Sequence, residues 1–66
     1  MSDYSRQDLI ISIENSVKFI ESCLDSADET IAFVFKKYGV SNLEKASLST
    51  LNELFNELYV IEADLR

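Results

Sequence analysis

Apolar residues along this chain recur at alternating spacings of three and four. Ile10, Ile13, Val17, Ile20, Leu24, Ala27, Ile31, Val34 and Tyr38 keep that rhythm without a break, and Leu51, Leu54, Leu58, Ile61 and Leu65 repeat it near the other end. A turn of 3.6 residues puts such positions on one face, so the pattern predicts an all-α protein whose helices each bury one stripe.

Local signals mark where the helices start and stop. Ser5 reads as an N-cap with Asp8 as its box partner, and Tyr4 outside it can staple onto Leu9. Gly39 follows Lys36-Lys37-Tyr38, where a left-handed cap favours glycine and the negative end of the helix dipole favours lysine. Ser41-Asn42-Leu43-Glu44 reads as a capping box opening a single turn, with Leu43 and Leu48 tucking the connection onto the core. The last helix begins near Ser47 or Ser49, and Thr50 with Glu53 offers a further cap.

Residues 25–29 admit two readings. Ser26 with Glu29 matches a capping box, which argues for a turn and a fresh helix. The stripe nevertheless crosses this segment in phase, with no glycine or proline, which argues for one helix from about 6 to 38, roughly 50 Å long. The box and the small Ala27 favour the turn. The expected architecture is one domain, 1–66, forming a small antiparallel bundle with helices at about 5–25, 27–38 and 48–65. Its rival is a long-helix hairpin that dimerises as a four-helix bundle through Ile10–Leu24.

Size and charge narrow the function. A chain of 66 residues buries only about 60% of its unfolded surface, and Cys23, being alone, cannot form an internal disulfide. A partner is then the available source of extra stability, which favours self-association. The net charge of −6, from twelve acidic and six basic residues, repels duplex DNA and anionic membranes. No apolar run approaches the roughly 20 residues of a membrane span, and no signal peptide is apparent. With a lone cysteine, these features make a cytoplasmic protein the expectation.

Catalytic chemistry is sparse. The chain has no histidine, the commonest acid–base residue and metal ligand near neutral pH. Cys23, late in its helix beside Asp25, lacks a cationic neighbour and reads as a small buried hydrophobe. Glu53, Glu57 and Asp64 form a ridge on the last helix, and Glu14 and Glu21 lie one heptad apart on the first. Di-metal bundles pair such glutamates with a Glu-x-x-His motif, so a solvated acidic face is expected, with no metal and no cofactor. The same acidic last helix is unsuited to reading DNA, so no direct nucleic-acid binding is expected.

The apolar residues that miss the stripe carry the functional expectation. Ile11, Phe33 and Val60 fall on the outer sides of three helices, and Phe19 falls at a margin. Together they suggest a non-enzymatic, acidic protein-interaction module (adaptor, inhibitor or regulatory subunit) whose partner is a protein, another copy of the chain included. The alternative is an acidic nucleic-acid mimic that blocks a DNA- or RNA-binding protein through Glu53, Glu57 and Asp64. The heptads themselves specify no family.

Overall fold

Ser5 caps the first helix, α1 (Arg6–Cys23), its hydroxyl oxygen accepting the Asp8 backbone N–H at 3.1 Å. The computed structural model describes residues 5–66, so the expected staple of Tyr4 on Leu9 lies outside the described residues. α1 stops at Cys23, two residues short of the expected end, because Leu24 turns to an extended conformation (φ −121°, ψ 133°). The second helix, α2 (Ala27–Lys37), starts where expected, but not by the expected device. Ser26 occupies the cap position without a side-chain capping bond, so the Ser26–Glu29 box does not form. What remains at that end is Asp28 and Glu29 in the first turn, which suit the positive pole of the helix.

The break at Leu24 overturns the long-helix hairpin. The stripe keeps its phase across the break because both helices face one core, and Ala27 enters α2 on the buried side. In-phase spacing therefore said nothing about backbone continuity. Continuing the helix would have left Ile10, Ile13 and Ile20 to be covered by a second chain, whereas folding back buries them against the last helix of the same chain.

Gly39 ends α2 in the left-handed region, with φ 68°. Its N–H donates to the Lys36 carbonyl at 3.0 Å, and the Val40 N–H donates to the Phe35 carbonyl at 2.9 Å, a Schellman pair. Val40 is buried just beyond the cap and fixes the exit of the chain. A 3-10 turn, Leu43–Lys45, follows, capped by Asn42 rather than Ser41: the Asn42 side-chain oxygen accepts the Glu44 N–H at 2.9 Å. Asn42 does this because its short amide reaches a donor only two residues on. Ser47 then caps the third helix, α3 (Leu48–Leu65), accepting the Thr50 N–H at 3.1 Å. Leu43 is half-buried as expected, but Leu48 is exposed and does not tuck the connection in.

Contacts at both ends fix the helix directions. The Arg6 guanidinium donates to the carbonyls of Glu44 and Ala46, just ahead of α3. At the other end, Ser16 bonds Glu62 and Arg66 lies over Phe19. α1 and α3 thus run side by side in one direction, and α2 returns against both. The α1–α3 contact is the most extensive. Leu9, Ile13 and Ile20 from α1 meet Leu51, Leu54 and Leu58 from α3, all essentially inaccessible. Each such side chain contributes about 1.5–3 kcal/mol by leaving water. From α2 only Ala27 and Val34 are buried.

Candidate interaction surface

Of the four apolar residues expected to form a working surface, three are exposed. Phe33 is 67% accessible, Val60 61% and Ile11 45%. Each belongs to a different helix. Phe19 differs. It is half-buried, and the Arg66 guanidinium sits 4.8 Å from its ring centroid.

Leu48, expected on the core, and Tyr59, off the stripe, are also exposed. Leu48 and Tyr59 share a flank of α3 with half-buried Phe55, whose ring centroid is 6.0 Å from that of Tyr59. Their spacing of seven and then four residues is a helical stripe in its own right, and that was the available signal. Ser16 was also missed. It is buried between Ile13 and Ile20, and its hydroxyl donates to Glu62 Oε1 at 2.8 Å. Arg66 closes the group by pairing with Glu62 Oε2.

The acidic ridge is not uniform. Glu53 and Asp64 are exposed, but Glu57 is engaged at its centre. The Tyr38 hydroxyl donates to Glu57 Oε1 at 2.9 Å, and Lys37 Nζ lies 3.3 Å from Oε2. These contacts, the Tyr38 bond first, hold the Glu57 carboxyl below its ordinary range, and the same bond raises Tyr38 above its own. Glu62 is likewise lowered, chiefly by Arg66 and then by Ser16. Cys23 corrects the expectation of a buried thiol: it is exposed. α1 ends at this residue, and the extended Leu24 packs against the core in its place.

Two concavities stand out among the described residues. One, of about 240 Å³, follows the connection from Tyr38 to Thr50, where Asn42 and Ser47 are already used as helix caps. The other, of about 380 Å³, opens where α2 and the 3-10 turn diverge from α1. Val17, Phe35 and Leu43 floor it, and Glu14, Lys18 and Glu21 edge it. Among the described residues no group of three or more His, Cys, Asp or Glu side chains could hold a metal ion. None of the described helices is long and apolar enough to cross a membrane. No protein-family model, curated protein or solved structure matches the chain.

Proposed function

We propose that the chain is a small non-enzymatic protein-interaction module, an adaptor, inhibitor or regulatory subunit acting in the cytoplasm. The observation that carries this reading is the exposure of Ile11, Phe33, Leu48, Tyr59 and Val60 on a domain whose core closes without them. Single exposed apolar residues are ordinary, but five on so small a surface are more than solubility favours in a free monomer. The acidic-mimic alternative is weaker, because Lys37 and Tyr38 already engage Glu57 at the centre of its ridge.

Capture from native lysate onto the immobilised chain tests the reading. Binding should persist from low salt to about 0.5 M, where charge attraction is screened and apolar contact is not. The pair Phe33→Ser and Val60→Ser, and separately Leu48→Ser with Tyr59→Ser, should keep the helical signal; at least one pair should lose most of the captured protein. Capture unaffected by both pairs would remove the reading. Capture that collapses with salt would favour the acidic mimic.

A further inference from the structure

We infer that the groove between α1, α2 and the 3-10 turn is a docking site for a basic amphipathic helix of a protein partner. The inference rests on the interaction-module reading and adds a second contact surface, separate from Ile11, Phe33, Leu48, Tyr59 and Val60. The groove's volume of about 380 Å³ suits a few large side chains, and its floor of Val17, Phe35 and Leu43 is apolar. The edge supplies the charge. Glu14 and Glu21 stand two turns apart on the same side of α1, about 10.5 Å along the helix. Neither has an ion-pair partner among the described residues. Lys18, between the two glutamates, is the one cation on the edge.

This arrangement selects a ligand with apolar side chains toward the floor and lysine or arginine at its margins. The backbone selects a helix. An all-helical domain offers no sheet edge, so an extended peptide would bury N–H and C=O groups without partners, whereas a helix satisfies its own. A partner helix also repeats its side chains at the two-turn interval that separates Glu14 from Glu21.

The test uses the full chain and a synthetic leucine–lysine peptide patterned as an amphipathic helix of about four turns. Amide resonances should shift most at Val17, Phe35 and Leu43. Glu14→Gln with Glu21→Gln should weaken binding by about five- to tenfold, while Glu53→Gln with Asp64→Asn leaves it unchanged. Lys18→Gln should tighten binding, because it removes the only like charge on the edge. The proposal is overturned if shifts centre on the Leu48–Tyr59 flank, if both acid pairs weaken binding equally, or if a leucine–glutamate peptide binds as well. In any of those cases capture from lysate that persists at high salt would keep the interaction-module reading and discard only the groove.

Discussion

α1 and α3 are joined differently from α2. The first pair meets along six essentially inaccessible aliphatic side chains, and its two polar contacts, Ser16 with Glu62 and Arg66 with Phe19, lie at one end. α2, at 11 residues, buries only Ala27 and Val34 fully, adds half-buried Ile31 and Phe35 at the core's margin, and is further held by its turns and by Lys37 and Tyr38 on Glu57. The contrast separates a two-helix platform from a lighter third element. The groove opens at the boundary between them, where α2 and the 3-10 turn diverge from the platform. A surface that must adapt to a partner is best built where fewer buried contacts resist movement.

Breaking the platform should have the largest effect. Leu54→Ala should cost about 3–5 kcal/mol in chemical denaturation, whereas Val34→Ala on α2 should cost about 1–2 kcal/mol. Equal losses would erase the distinction. Next, Gly39→Ala should cost about 1–2 kcal/mol, and the reason is conformational: an added Cβ meets nothing within 4 Å, but φ is 68°. Hydrogen exchange should show this loss concentrated in the last turn of α2. Ser16→Ala should cost about 1 kcal/mol by removing the buried hydroxyl that donates to half-buried Glu62, with α1 and α3 protection falling together.

The pH dependence of stability, read from thermal melts, is the smallest effect and separates the two junctions. Glu57 and Glu62 have folded values below the ordinary 4.5. Their stabilisation is therefore complete above 4.5 and is lost as pH falls through the lowered folded values. Tyr38 is raised above 10.0, so its contribution is full below that value and is lost as pH rises through the folded one. Glu57→Gln should flatten both limbs of the profile, because one hydrogen bond serves both groups. Glu62→Gln should flatten the acid limb alone.

The legible parts of the molecule were local. Ser5 and Gly39 act within four residues of themselves, so their caps are readable without knowing what the helices pack against, whereas Ser47, Ser49 and Thr50 competed for the start of α3 and the structure selects Ser47. The stripe residues Ile13, Ile20, Leu51, Leu54 and Leu58 were legible because burial of one face follows from helical periodicity. The exposed positions Ile11, Phe33 and Val60 followed from the same geometry. Harder cases were those in which neighbours compete. Ser26 matched a box pattern but makes no capping bond, and Asn42 displaced Ser41 because two adjacent residues could both cap.

By itself, then, the sequence determined the helical stretches on either side of Gly39, the face each one buries and several of their ends, because hydrogen bonds and side-chain periodicity within a helix are short-range. Only the tertiary structure decided that the chain folds back at Leu24, that Cys23 faces solvent, and that Glu57 and Glu62 are engaged while Glu14 and Glu21 are in no ion pair among the described residues. Those outcomes depend on which helix faces are brought together and how closely, which is set by the packing of residues distant along the chain. The groove between α1 and α2 belongs to that second class: Val17, Phe35 and Leu43 are ordinary apolar residues until the fold places them side by side.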